Sequence, residues 1–439
     1  MKRKWSFAAM AGSAVLLLCL LFVFFLWDND PYDYHSSGVN NDLDLSKDDE
    51  LFAFSYFQQG ERSIYTLPVT GGTPEPIPND TGEDQHQPSF NEAGTELLYL
   101  SDSPEGISYL NKINLLTLET AELTSENLHI RDAVFSPDNE KVYFIGIEAD
   151  DWFAEDMEAA GGFDVYEMDS GGGEPVKLTE EDSYVMSALS IAEDGSTLFY
   201  STTGDEGEVV KAYSLDGADS YDQLVNRLPS GVYSPALSPN GREFAYTTAS
   251  DLADGDMYQY ELFVLNIENG ESERLTEGSM NVDSPVFFHN SDYIAYMEQQ
   301  NWPQDPPVFE LKSMNLQTTE AHEIPMNTSG IEGTSLHPAQ LLNGILDPIV
   351  FGTLYTILLV SAVVFTGLGG GNVYLPPVIG TVVSGLSAAA AFLIVNSSPW
   401  VMIAPVAFSI GISICTAAGF AAAFIWKKTH SKKKLRKVS

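Results

Sequence analysis

Phe135-Ser-Pro-Asp-Asn-Glu-Lys-Val-Tyr-Phe144 and Leu237-Ser-Pro-Asn-Gly-Arg-Glu-Phe-Ala-Tyr246 are two copies of one pattern. An apolar residue ends a strand. Pro then fixes φ, Asn or Gly accepts a positive φ, and an aromatic-rich strand follows. That is a β-hairpin with a tight turn. Four further segments fit the same register: Leu45–Phe54, Phe90–Tyr99, Ile191–Tyr200 and Phe287–Tyr296. The first positions step by 45, 45, 56, 46 and 50 residues, and a truncated copy, Leu336-His-Pro338, follows.

Each hairpin is followed by a second strand pair. Ser63–Val69 goes with Glu75-Pro-Ile77, Asp164–Asp169 with Pro175–Thr179, and Glu261–Asn266 with Ser272–Thr276. Gly71-Gly72, Gly171-Gly-Gly173 and Asn269-Gly270 supply the turns. Four short antiparallel strands in about 45 residues cannot bury their own apolar face, and that period is the one of a propeller blade. The expected fold is an all-β six-bladed β-propeller with four-stranded antiparallel blades. Two closures fit: Leu45 lies on blade one's own inner strand, or Thr334-Ser-Leu336 supplies that strand from the other end.

The Ser-Pro-Asp-(Asn/Gly) turn before an aromatic strand, with Lys177-Leu-Thr179 or Arg274-Leu-Thr276 closing the preceding blade, resembles the TolB-type WD40-like propeller repeat. The propeller domain of prolyl-oligopeptidase-type dipeptidyl peptidases shares this pattern. The resemblance covers about Leu43 to Pro338 and implies a six-bladed propeller. TolB's N-terminal α/β domain has no counterpart here. The peptidase's Gly-x-Ser-x-Gly nucleophile elbow does not occur either. The resemblance therefore implies fold and carries over neither family's activity.

Outside the repeats the chain is hydrophobic. Trp5–Trp27 is free of charge and follows Lys2-Arg3-Lys4. It is long enough to cross a bilayer, and it ends in bulky residues rather than a small-residue cleavage site, so it reads as an uncleaved signal anchor. Ile349–Thr366, Val373–Val395 and Val401–Trp426 are three more candidate spans. Basic residues are retained on the cytoplasmic side. Both ends are basic, so four transmembrane α-helices put both termini inside and the propeller outside the cytoplasmic membrane. Gly411, Ala417, Gly419 and Ala423 are small enough for close helix approach. The expected organisation is anchor 1–27, linker 28–42, propeller 43–338, linker 339–348, three helices 349–426 and basic cytoplasmic tail 427–439.

Between Asp28 and Asn343 lie 11 basic and 61 acidic residues, a balance near −50. Such a surface repels nucleic acid and attracts cations and basic protein segments. Cys19 and Cys415 both fall in hydrophobic segments, so the propeller has no disulfide.

With strands A to D counted outward from the axis, loops B–C and D–A share one face. The insertions all fall in B–C loops: Glu148–Gly162, Asp251–Gln259 and Gln299–Pro307. They carry Asp150, Asp151, Trp152, Phe153 and Asp156 in the first, Asp254, Asp256 and Tyr258 in or beside the second, and Trp302 in the third. Loops on a rigid scaffold carry function, and Trp and Tyr anchor interfaces. The expectation is a surface for a protein or cell-wall partner. Asp150, Asp151, Asp156, Asp254 and Asp256 are also the candidate oxygens for a Ca2+ ion, although no segment has EF-hand spacing. His86 and His129 fall just before inner strands, near the central channel. No other cofactor and no catalytic residue is expected.

The reading is a non-catalytic, membrane-anchored scaffold or sensor of the cell envelope. The alternatives are an enzyme acting on a cell-wall or extracellular glycan through the central channel, and an accessory subunit of an exporter.

Overall fold

The computed structural model describes residues 2–26, 38–58, 61–79, 82–154, 161–204, 207–217, 225, 227–229, 231–249, 258–278, 281–302, 307–328, 348–394 and 403–435. The chain divides into two compact units, one of residues 31–335 and one of residues 1–30 with 336–439.

The first unit is built of six sheets, each a meander. Blade one holds β1 (Gly38–Leu45), β2 (Leu51–Gln58), β3 (Glu61–Pro68) and β4 (Glu75–Pro76). Blade two holds β5 (Gln85–Phe90), β6 (Glu96–Asp102), β7 (Ser108–Asn114) and β8 (Thr120–Glu122). Blade three holds β9 (Leu128–Phe135), β10 (Lys141–Glu148), β11 (Asp164–Asp169) and β12 (Val176–Lys177). Blade four holds β13 (Met186–Ile191), β14 (Thr197–Gly204) and β15 (Gly207–Ser214). Residues 218–224, where its fourth strand is expected, lie outside the described residues. Blade five holds β16 (Val232–Leu237), β17 (Glu243–Ala249), β18 (Tyr260–Asn266) and β19 (Ser272–Arg274). Blade six holds β20 (Val282–Phe287), β21 (Tyr293–Gln299), β22 (Phe309–Asn315) and β23 (Ala321–Glu323).

The repeated residues do repeated work. In the A–B turn of blade three, Ser136 Oγ donates to Asp138 Oδ1 at 2.5 Å and accepts the Lys141 N–H at 2.9 Å. Asn139 there takes φ 60°. Ser46 with Asp48 and Ser238 with Asn240 build the same turn. At the outer edge, the hydroxyls of Thr124, Thr179 and Thr276 each accept a strand-C N–H, from Leu110, Val165 and Leu262, at 2.9 Å. The preceding Leu123, Leu178 and Leu275 donate their N–H to the same three residues' carbonyls. The x-Leu-Thr motif thus continues the C–D ladder past the short strand D.

The apolar core lies between blades. One cluster joins Leu98, Leu100 and Leu110 of blade two to Phe135, Phe144, Tyr166 and Met168 of blade three. The other clusters fill the remaining seams in the same way.

Closure uses blade one's own strand: β1 pairs with β2. Residues 334–336, the alternative, lie outside the described residues. The blade one–blade six seam is instead held by side chains and loops. Asp49 accepts the N–H groups of His289 and Asn290 at 2.7 and 2.8 Å, and Asn41 donates to Asp283 at 2.8 Å. Gly72 exchanges backbone hydrogen bonds with Pro325 and Asn327. Gly71, at φ +83°, sits so close to Pro325 that a Cβ would fall 2.5 Å from its carbonyl oxygen.

The second unit is helical. α1 (Lys2–Leu26) packs on α3 (Pro348–Leu368), α3 on α5 (Ile403–Leu435), and α4 (Leu375–Ile394) on α5. α2 is a single turn, Ala149–Trp152, in the propeller. α1, α3 and α5 contain segments long and apolar enough to cross a membrane: Lys2–Val23, Ile349–Leu368 and Ser409–His430. The apolar stretch of α4, Leu375–Leu386, is shorter. α5 runs past the expected Trp426 to Leu435, because lysine propagates a helix and no Gly or Pro interrupts the tail. Of the four small residues picked from sequence, Gly419 does meet Pro377 and Leu359, and Ala423 is fully buried. Gly411 has open space beside it and Ala417 is exposed. The buried polar seam comes from Ser384, whose hydroxyl donates to Ser409 O at 3.1 Å and lies 2.6 Å from Ser413 Oγ.

Candidate functional site

The described ends of the inserted loops, residues 148–154, 161–162, 258–259, 299–302 and 307, join strand B to strand C of blades three, five and six. Asp150 and Asp151 occupy the first turn of α2, with Trp152 at its end and Phe153 just after. Trp152 is 38% exposed, yet its indole stacks on the buried His129 ring, centroids 4.0 Å apart and nearly parallel. Phe163 abuts both rings. Phe153 is 56% exposed. In blades five and six, Trp302 donates its N–H to Tyr258 O at 3.0 Å and packs edge-on against Tyr260, which packs on Tyr233. Tyr258 is 56% exposed, and Tyr184, on the loop from blade three to blade four, 52%. Asp156, Asp254 and Asp256 lie outside the described residues.

Sequence reading placed His86 and His129 near the channel but not their partners. His86 Nε2 lies 2.9 Å from Asp102 Oδ1. Ser108 Oγ donates to that same oxygen at 2.5 Å, and Arg62 to the other at 3.1 Å. Burial pushes the Asp102 carboxyl up, but His86, Ser108 and Arg62 outweigh it and hold it down to about 2. The Ser108 N–H donates to His129 Nδ1 at 3.1 Å, so the neutral His129 ring carries its proton on Nε2. Burial, then the Arg131 charge, lowers the His129 pKa to about 4. Ser108 is thus spent on a carboxylate rather than a histidine, and His129 stays neutral at pH 7. This is a packed polar network among blades one, two and three, in which Ser108 does not meet a histidine base through its hydroxyl.

Each inner strand carries a bulge. At β5 and β13, acids of the preceding blade take the N–H groups around it. Asp42 accepts from Gln87 N at 2.8 Å, Asp44 from Phe90 N at 2.6 Å and Asp132 from Leu189 N at 2.8 Å. Burial raises Asp44 to about 6 against the pull of the Phe90 and Leu45 N–H groups and Lys47. Burial, with the Asp44 charge adding to it, raises Asp132 to about 7. Both side chains keep partial access to water. Through these two acids the folded state binds more protons than the unfolded state between about pH 4 and 7, and their contribution to stability falls as pH rises through that window. His129 and His289, both lowered to about 4, act in the opposite sense, but only between about pH 4 and 6.5. Asp132→Asn, which imitates the protonated acid, is expected to raise Tm by a few degrees at pH 8 and not at pH 5. Thermal unfolding of the full chain at both pH values checks this.

Among the described residues no three or more His, Cys, Asp or Glu side chains gather so as to hold a metal ion.

No protein-family model matches the chain, and no curated protein matches it. Solved structures do. TolB from Acinetobacter baumannii is 14% identical with TM-score 0.49, over 67% of this chain and 64% of that one. The putative TolB from Agrobacterium tumefaciens is 15% identical with TM-score 0.44, over 58% of this chain and 84% of that one. An oligogalacturonate lyase in complex with manganese is 14% identical with TM-score 0.47, over 70% and 82%. The structural neighbours are TolB and related propeller proteins. At these identities the likeness is one of fold, and the chain spans under two thirds of the Acinetobacter protein.

Proposed function

We propose that this chain is a non-catalytic, membrane-anchored propeller that binds a protein partner in the cell envelope through its inserted-loop face. One observation carries the reading. Of the five exposed aromatic side chains of the described propeller, Trp152, Phe153, Tyr184 and Tyr258 lie on that face, and only Tyr293 does not. Exposed aromatics on one rigid surface are the usual anchors of an interface.

The anchoring reading is four spans with both termini cytoplasmic. It is supported by the helical unit's one basic end. Arg3 lies 4.9 Å over the Phe365 ring and Lys427 5.3 Å from the Tyr374 ring. Gly367, on α3, meets the Trp426 indole. The positive charge of both chain ends thus gathers at one end of the unit, as cytoplasmic retention of Lys and Arg requires.

Benzoylphenylalanine at position 153 or 258 of the full chain, in native membranes, is expected to yield adducts with the same partner, identified by mass spectrometry. The same probe at Leu118, which is exposed on the opposite face, is expected to yield none. Equal adducts at all three positions, or none at 153 and 258, would contradict the proposal.

A further inference from the structure

Between the outer edges of blades two and three lies a cavity of about 540 Å3. Glu122, from the end of β8, Glu148, from the end of β10, and Glu174, from the turn between β11 and β12, line it together with Thr124 and Tyr166. No Lys, Arg or His is among its walls. The three glutamates are exposed, and none forms an ion pair among the described residues. Of the eleven cations between residues 28 and 343, nine lie within 4.0 Å of a carboxylate, and none of these carboxylates is in the cavity. The nearby Lys177 is held at 2.6 Å by Asp164.

Tyr166 is an independent sign. It is 7% exposed, its ring is stacked on Phe144, and it lines the cavity. No hydrogen bond to its hydroxyl is made among the described residues, and the oxygen keeps access to solvent rather than being sealed in the core. Burial, and then Lys177, Glu148 and Asp164, act on that phenol, with a net upward shift, so it stays protonated and offers both an acceptor and a donor.

The geometry points to a seat for a lysine or arginine side chain from a basic segment of a partner protein. Unpaired carboxylates and a free phenol match an organic cation. The acids do not form a metal-holding group. The domain's charge near −50 draws basic chains toward it. Glu148, on the cavity wall, directly precedes α2, which ends at the exposed Trp152 with the exposed Phe153 next to it. A protein segment reaches both at once, which a free polyamine does not. The inference rests on the binding-face reading above and names the chemistry of its partner.

The test uses the full chain in phosphatidylcholine nanodiscs, with fluorescein-labelled hexa-arginine as probe and spermine as the free polyamine. The triple variant Glu122→Gln, Glu148→Gln, Glu174→Gln is expected to weaken the peptide about tenfold. The variant Glu271→Gln, Glu320→Gln, Glu323→Gln removes the same charge elsewhere and is expected to change it less than about twofold. Tyr166→Phe, which keeps the ring and its packing, is expected to weaken the peptide about threefold with Tm unchanged. Trp152→Ala is expected to weaken the peptide and leave spermine unaffected. Equal losses in the two triple variants would mean a general field and overturn the seat. Spermine bound as tightly as the peptide, with the same dependence on the three glutamates, would overturn the protein segment. Adducts at position 153 that persist while the two triples behave alike would sink the cavity and spare the face. Absence of those adducts in the wild type would sink the face itself.

Discussion

Phe144→Ala is expected to destabilise the propeller by about 4 kcal/mol. Phe144 is fully buried between blades two and three. Its ring stacks on Tyr166 with centroids 5.4 Å apart and packs among Leu98, Leu110 and Phe135. Removing it deletes apolar contacts on both sides of one seam. The gap cannot close by the shift of one side chain, because strands of two blades would have to move together. Thermal unfolding of the full chain should fall by roughly 10 °C. Phe144→Leu keeps most of the volume and should lose about a third as much. A loss under about 1 kcal/mol for the alanine variant would mean that the blades do not meet at this residue.

The second large effect is expected at Asp164. Its carboxylate is fully buried and accepts the Thr179 hydroxyl at 2.8 Å and the Glu181 N–H at 2.6 Å, with the Lys177 ammonium at 2.6 Å. Thr179 in turn takes the N–H of Val165. The acid therefore holds the whole Lys-Leu-Thr closure of blade three in place. Asp164→Ala leaves a buried N–H without its acceptor and the closure loose, with an expected cost of about 3 kcal/mol. Asp164→Asn keeps the shape and one acceptor and should lose about half of that. Native-state hydrogen exchange should report the loss as faster exchange at Val165 and Leu178. Equal stability of wild type and alanine variant would contradict this role. Glu261 with Thr276 and Arg274 repeats the arrangement in blade five.

These two residues also show what a single sequence reveals. The hairpins were legible because their information is local: Ser136, Asp138 and Asn139 make a turn with one another. The Lys-Leu-Thr motif was visible as a repeat, but its reason was not, since Thr179 acts on Val165 fourteen residues earlier. The place of His86 and His129 at the inner strands followed from the strand count, although both lie within those strands rather than just before them. Their partners did not, because Asp102 and Ser108 reach them from the ends of β6 and β7, 16 and 21 residues away in the chain. The inner-strand bulges leave no mark in hydrophobic period, although Gln87, Ala188, Ser234 and Ser284 all take positive φ there. The cavity at Tyr166 is lined by residues spread from Glu122 to Pro175, and no local pattern encodes that. On the face itself, Trp152, Phe153 and Tyr258 are exposed as expected, whereas Trp302 is partly covered by its contacts with Tyr258 and Tyr260. In the helices, composition gave apolar length but not facing, so Gly419 and Gly411 were indistinguishable until their neighbours were known.

Everything proposed for the binding face presumes that the propeller stands across the membrane from the basic chain ends. The chain has two cysteines, Cys19 and Cys415, both in helices. With both replaced by serine, a single cysteine at Glu105, exposed on a propeller loop, or at Ser439 can be probed with a membrane-impermeant maleimide in intact cells. The account predicts labelling at 105 and none at 439 until the cells are broken. Labelling at 439 in intact cells, or none at 105, would contradict it.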